Sequence, residues 1–272
     1  MVNTVCKEGV PVKKTSWIIC LLLLITGLSA CGGKDSALDN IRTNGVLRVG
    51  VKMDVPGFGY LNPATGELEG LEIDLAHLIA EDILGNGQAL KAVGVTAQTR
   101  EPMLENGELD LVIATFTITP ERVQRFHFAQ PYYEDEIGFL IKDDSGLSQI
   151  TDMDGKVIGI VNSGTAHAAL IAQAEQTGIA MSYQEFTSYP EVNAALIAGK
   201  VDAFAGDKSI LRGYKSEGTH IIEEGFNTQE YGIAVAKNNT DLAKYIDDLM
   251  NNIKQDGRLE EILNRWGYEM PN

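Results

Sequence analysis

The chain has 272 residues and carries 38 acidic against 22 basic side chains, a formal net charge of −16. That balance argues against nucleic acid or anionic lipid as a partner of the folded surface, because both require basic patches. The length supports one large or two medium domains with ample burial, and three cysteines, Cys6, Cys20 and Cys31, give no disulfide framework.

The first segment reads as an export signal. Lys7, Lys13 and Lys14 precede an apolar run from Trp17 to Leu28 that closes on Leu28-Ser29-Ala30-Cys31. The run is too short and too early for a spanning helix, and small residues ending in Cys are the pattern for diacylglyceryl attachment. Residues 1–30 are therefore expected to be a lipoprotein signal peptide, with an uncleaved anchor or an ordinary signal peptide as alternatives. Cleavage before Cys31 removes the other two cysteines, so the exported domain uses neither disulfide nor thiol chemistry. A polar tether is expected over 31–37.

Strand-like and helix-like segments then alternate, which argues for an α/β fold. Leu47 to Val51 reads as a strand and Ile73 to Ala80 as a helix; Leu109 to Ala114 and Val157 to Val161 read as strands, and Ala166 to Glu175 as a helix. From Leu242 to Ile253 and from Leu259 to Trp266 the apolar residues recur at helical spacing and read as packing. A faint internal echo joins Gly107-Glu108-Leu109-Asp110 to Gly199-Lys200-Val201-Asp202. Each glycine stop is followed by a strand with a polar residue, Thr115 or Asp207, at its carboxyl end, where open α/β sheets bind ligands.

The run Ala114-Thr115-Phe116-Thr117-Ile118-Thr119-Pro120-Glu121-Arg122 puts hydroxyls and a guanidinium where a strand becomes a helix. Thr119 reads as N-cap and Pro120 as N1. Arg122 then lies in the first helical turn, where a cation opposes the macrodipole unless an anion sits between them. On spacing alone, a bound anion and a side chain in water fit equally. Asp207 fits either a ligand acid or a simple helix cap. Lys52, after the first strand, and Arg100, opening a helical segment, each read alone as solvated charges. The turn Asn162-Ser163-Gly164-Thr165 is not a phosphate loop, since no Gly-Lys-Ser/Thr follows.

These motifs, with Leu47-Arg48-Val49-Gly50-Val51, Thr99-Arg100-x-Pro102 and Ser188-Tyr189-Pro190, resemble the polar amino-acid-binding proteins of ABC importers (family 3) from about Leu38 to Trp266, and above all the aspartate/glutamate branch. The resemblance implies a two-lobed type II periplasmic-binding-protein fold with the ligand in a cleft between two open sheets. Lobe 1 would comprise 38–133 plus 229–272, and lobe 2 would comprise 134–228. It implies that Arg122 holds the ligand's α-carboxylate with Thr117 and Thr165, Asp207 meets its ammonium, and Lys52, Arg100 and Thr115 clamp a side-chain carboxylate. Tyr189 would cover the ligand, and Phe58 and Tyr60 would wall the cleft. Three cations would face three anionic groups, namely two ligand carboxylates and Asp207.

The expected function is capture of aspartate or glutamate by lobe closure and delivery to an ABC permease and its ATPase. The protein would be an exported monomer held by lipid to the outer face of the membrane, with no cofactor or metal. Glutamine or another polar amino acid is the alternative, and an amino-acid sensor is a further one. A cyclohexadienyl-dehydratase-like enzyme would need a poised general acid. His77, His127, His167 and His220 are scattered, and none has a partner at catalytic spacing.

Overall fold

The computed structural model describes Gly9 and residues 36–270, so the expected signal peptide and Cys31 lie outside the described residues. The Ser36 hydroxyl accepts from the Asp39 amide at 3.0 Å and caps helix Ala37–Asn44. That helix takes in the last residue assigned to the tether.

Two sheets carry the architecture. In the first, the strand order is Leu90–Gly94, Leu47–Val51, Leu111–Ile113, Ala234–Ala236, Phe126–Phe128. The first three run parallel, and Ala234–Ala236 is antiparallel to both its neighbours. In the second sheet the order is Ser182–Phe186, Val157–Val161, Ala203–Asp207, Tyr133–Lys142, Thr219–Ile221. Parallel strands covered on both faces read as near-continuous apolar runs, which is why Leu47–Val51 and Val157–Val161 were legible as strands. In both sheets the earliest parallel strand lies between the next two, so each has its topological switch point there, with a crevice at the carboxyl ends.

Helix Leu71–Leu84 and the C-terminal helices Thr240–Gln255 and Arg258–Arg265 cover the first sheet. Leu75, Ile79, Leu242, Ile246, Met250, Ile253, Leu259 and Leu263 belong to one buried core with Leu47, Val49 and Leu111. Ile137, Phe139, Ile158, Ile160 and Leu170 form a separate core under the second sheet.

The chain passes between the sheets on two adjacent strands. Phe226–Tyr231 pairs antiparallel with Tyr133–Lys142 from Tyr231 opposite Tyr133 to Phe226 opposite Ile137. At their first-lobe end the Tyr132 amide donates to the Tyr231 carbonyl at 2.9 Å. Rings of Phe58, Tyr133, Tyr231 and Tyr268 pack there, with Phe58 at 5.3 Å from Tyr133 and 4.9 Å from Tyr268. Phe58 is fully buried in this cluster rather than walling the cleft, and Tyr60 belongs to a small hairpin sheet of Asp54–Val55, Gly59–Leu61 and Leu68–Glu69. The hairpin also touches the second lobe: the Tyr214 hydroxyl donates to the Asp54 carbonyl, and a Cβ at Gly213 would lie 3.0 Å from the Pro56 ring.

Candidate ligand-binding site

Carboxyl ends of strands from both sheets meet at one cavity. Thr115 follows Leu111–Ile113, and Thr165 follows Val157–Val161. Asp207 ends Ala203–Asp207, and all three line the cavity with Arg100, Thr117 and Tyr189. Its volume is about 20 Å³, room for roughly one water. A wider opening of about 710 Å³ adjoins it through Thr117, Gly164 and Thr165 and is lined also by Arg122 and Gln229. Lys52 lies against these groups, its ammonium 5.1 Å from the centroid of the Tyr189 ring.

The 114–122 segment is held by the second crossing strand. Ile118 N donates to Glu230 O at 2.8 Å, and Gly232 N to Phe116 O at 3.1 Å. The Thr119 hydroxyl then caps helix Pro120–Arg125 by accepting from the Arg122 amide, as its sequence position predicts. Arg122 is 7% exposed; its Nε donates to Glu101 Oε1 at 3.1 Å and its Nη1 to Thr117 O at 3.0 Å. Its guanidinium carbon lies 4.7 Å from the Phe116 ring centroid, and that of Arg100 lies 4.2 Å from the same ring. Burial lowers the pKa of Arg122, and Glu101 partly offsets this.

Arg100 opens helix Arg100–Glu105 and is 4% exposed. Its Nη1 donates to Ala114 O at 2.7 Å and to Thr115 O at 3.3 Å, while its buried Nε has no partner. Burial, and then the Arg122 charge, push its pKa down to about 10. Lys52 is 3% exposed and pairs with Asp54 at 2.9 Å; burial lowers its pKa and Asp54 opposes the shift. Thr115 sits at φ 44, left-handed backbone that a β-branched residue adopts only when its surroundings hold it there. Its amide donates to Glu72 Oε1 at 2.5 Å, and that oxygen also accepts from the Tyr132 hydroxyl at 2.6 Å. Glu72 is fully buried with Oε2 unpartnered, and burial pushes its pKa up to about 7.

Across the cleft, Asp207 is 7% exposed and accepts from the Tyr231 hydroxyl. Burial first, and the neighbouring Asp135 second, push its pKa up to about 7. Asp207 does occupy the N-cap position of helix Lys208–Tyr214, yet its side chain makes no capping bond. Thr165 donates to Gln229 Oε1 at 2.6 Å. Tyr189 opens a helix with a Ser188/Glu191 capping box, and its ring packs on Phe204 and Tyr214.

Residues 47–269 match the bacterial extracellular solute-binding proteins, family 3. The chain belongs to that family. The ABC transporter glutamine-binding protein of Bacillus subtilis (strain 168) is 35% identical over 273 residues, covering 95% of this chain and 98% of its own length. A glutamate-binding protein of Corynebacterium efficiens is 31% identical over 252 residues, 87% of this chain and 84% of its own. Among solved structures, the cysteine-binding protein of Campylobacter jejuni superposes with a TM-score of 0.78 at 28% identity, covering 85% of this chain and 93% of that one.

As an extracellular solute-binding protein the chain works outside the cytoplasm. Among the described residues, no helix is long and apolar enough to cross a membrane, and no cluster of three or more His, Cys, Asp or Glu is arranged for a metal ion. The four histidines lie outside the cavity lining. His127 contacts Asp247 at 2.9 Å, His220 contacts Asp143 at 2.6 Å, His167 contacts Glu185 at 3.4 Å, and His77 contacts the Gly87 carbonyl at 2.7 Å.

Sequence reasoning missed the groups that surround the predicted side chains. Phe116 stands in the 114–122 run with no role assigned to it, and Glu72 falls just outside the helical segment from Ile73 to Ala80. Asp54, Glu101, Gln229 and Tyr231 carried no local signal. Their presence corrects the expected charge count: Lys52 and Arg122 already have carboxylates within hydrogen-bond reach, and Glu72 lies near Lys52 and Arg100. Among the described residues, Arg100 alone of the three cations bonds only to carbonyl oxygens.

Proposed function

We propose that this solute-binding protein captures an acidic amino acid, glutamate or aspartate, between its lobes and delivers it to an ABC permease driven by its ATPase. One observation carries the reading. A buried carboxylate, Asp207, stands across the cleft from two buried guanidiniums, one of which, Arg100, has no carboxylate bonded to it. An uncompensated buried charge is costly, so this constellation fits a zwitterion that brings its own charges. Arg122, with Thr117 and Thr165, takes the α-carboxylate; Asp207 takes the ammonium; Arg100, helped by Lys52 and Thr115, takes the side-chain carboxylate; Tyr189 covers the ligand.

A glutamine ligand is the second reading. It is favoured by the Lys52–Asp54 pair, which spends one of the two cations expected at the side-chain end. It is also favoured by relatives whose names specify glutamine, including one from Geobacillus stearothermophilus at 33% identity. A thermal-shift screen of the common amino acids at millimolar concentration tests both. A ligand present at 100 times its Kd adds about 2.7 kcal/mol of stability. Glutamate or aspartate should give the largest shift, and Arg122→Ala should lose it; a screen with no shift would overturn the amino-acid reading.

The same reading places a diacylglyceryl anchor on Cys31. Labelling with an alkynyl fatty acid should mark the protein and fail on Cys31→Ala; an unlabelled native protein would contradict the anchor.

A further inference from the structure

An aspartate at an N-cap ordinarily turns back to accept from the amide two or three residues on. Asp207 does not. The Ser209 amide, its natural partner, donates instead to Asp135 Oδ2 at 2.9 Å, and the Ser209 hydroxyl donates to the same oxygen. Asp135 lies on the crossing strand Tyr133–Lys142. Asp207 is the last residue of its antiparallel pairing, opposite Ile137, so the helix that follows starts beside the end of Tyr133–Lys142 that carries Asp135. Its other oxygen accepts from the Glu136 amide at 2.8 Å.

This arrangement is costly without a use. Asp135, half-buried, and Asp207, buried, are neighbouring carboxylates, and an Asp207 that capped its own helix would make the second acid unnecessary. What the second acid gains is the freedom of the first. With the helix end already satisfied, Asp207 keeps, among the described residues, only the Tyr231 hydroxyl as a bonded side-chain partner and remains among the cavity-lining groups. Asp135 comes from one crossing strand and Tyr231 from the other. One crossing strand thus caps the helix in place of Asp207, and the other bonds the Asp207 carboxylate.

We propose that Asp135 is a positioning residue for ligand capture: it supplies the helix cap from the crossing strand and so leaves Asp207 free to meet the ligand's ammonium. The inference rests on the role given to Asp207 above.

The test compares L-glutamate with glutarate, which lacks the ammonium, by calorimetric titration of the purified protein; if glutamine proves to be the ligand, L-glutamine and glutaramate replace them. The ratio of the two affinities reads the ammonium contact alone, which a general loosening of the fold would not change. In Asp135→Ala, Asp207 is expected to swing onto the vacant Ser209 amide. The ratio should fall by about tenfold or more, the worth of one charge-assisted bond, while glutarate affinity stays nearly constant. Asp135→Asn retains an oxygen for that amide and should restore most of the ratio. Asp135→Thr suits a strand but is too short to reach Ser209, so it gives the same expected loss should the alanine variant not fold.

Asp207→Asn separates the two claims. If it collapses the ratio while Asp135→Ala and Asp135→Thr leave it intact, the positioning role is wrong and the ammonium role stands. If Asp207→Asn itself leaves the ratio intact, the reading of Asp207 fails and this inference fails with it.

Discussion

Replacing Arg100 by Met removes a guanidinium that is 4% exposed, stacked 4.2 Å from the Phe116 ring centroid and bonded only to the Ala114 and Thr115 carbonyls. Met keeps much of the volume and drops the charge. Leaving a bound side-chain carboxylate without its buried partner costs about 3–5 kcal/mol. At roughly 1.4 kcal/mol per decade, glutamate affinity should fall by about two to three and a half orders of magnitude. Glutamine loses only a donor to a neutral amide, worth about 1 kcal/mol, so its affinity should fall by roughly tenfold or less. The glutamate-to-glutamine preference should therefore shift by at least about tenfold toward glutamine. Stability should change little, because the two freed carbonyls are offset by relief of a buried, underpaired cation whose pKa burial has pushed down to about 10. Calorimetric titration of protein unfolded and refolded to strip carried-over ligand gives both affinities. An unchanged preference in Arg100→Met would refute the side-chain clamp, however much absolute affinity fell.

Three further outcomes are expected. Asp207 and Glu72 are each pushed by burial up to about 7, above unfolded values of 3.8 and 4.5. Between about pH 4 and 7 the folded chain therefore binds more protons than the unfolded one, and ligand-free stability should fall as pH rises through that window. Urea midpoints at pH 5.5 and 8 measure this: Asp207→Asn should flatten the slope, and an equally steep slope in that variant would contradict the assignment. Thr115→Gly should raise thermal stability by about 1 kcal/mol, by relieving the left-handed backbone at φ 44, while weakening glutamate binding through loss of the hydroxyl. A destabilised variant would show that the Glu72 contact does not hold strained backbone. Gly213→Leu drives a side chain into Pro56, where a Cβ alone would come within 3.0 Å, and should disfavour closure. Amino-acid affinity should drop by about tenfold without loss of ligand-free stability, since Leu is the better helix former, and unchanged affinity would remove this contact from the closing surface.

Much of the frame was legible because periodicity and punctuation survive in one dimension. Leu47–Val51 and Val157–Val161 are apolar runs bounded by polar turns, and Thr119-Pro120 announces its helix by capping chemistry. The ends of those elements named Thr115, Arg122, Thr165 and Asp207, because open sheets bind ligands at strand ends. Their partners were not legible. Glu72 reaches Thr115 across 43 residues, Glu101 reaches Arg122 across 21, and Asp135 reaches Ser209 across 74. No local pattern encodes a contact between a helix and a distant loop. Asp207 shows the limit from the other side: its cap position was readable, but its freedom from capping depended on a residue from the crossing strand. Phe58 shows the converse error, since a loop aromatic beside glycines could have faced the cleft and packs instead on Tyr133, Tyr231 and Tyr268.

The central claim is that the cleft is built for an amino acid with an acidic side chain, and direct titration of refolded, ligand-stripped protein with L-glutamate, L-aspartate and L-glutamine tests it most simply. The account predicts one site per chain, with glutamate or aspartate bound at least about tenfold more tightly than glutamine, because an amide leaves the buried Arg100 charge underpaired. Tighter binding of glutamine than of either acid would contradict it.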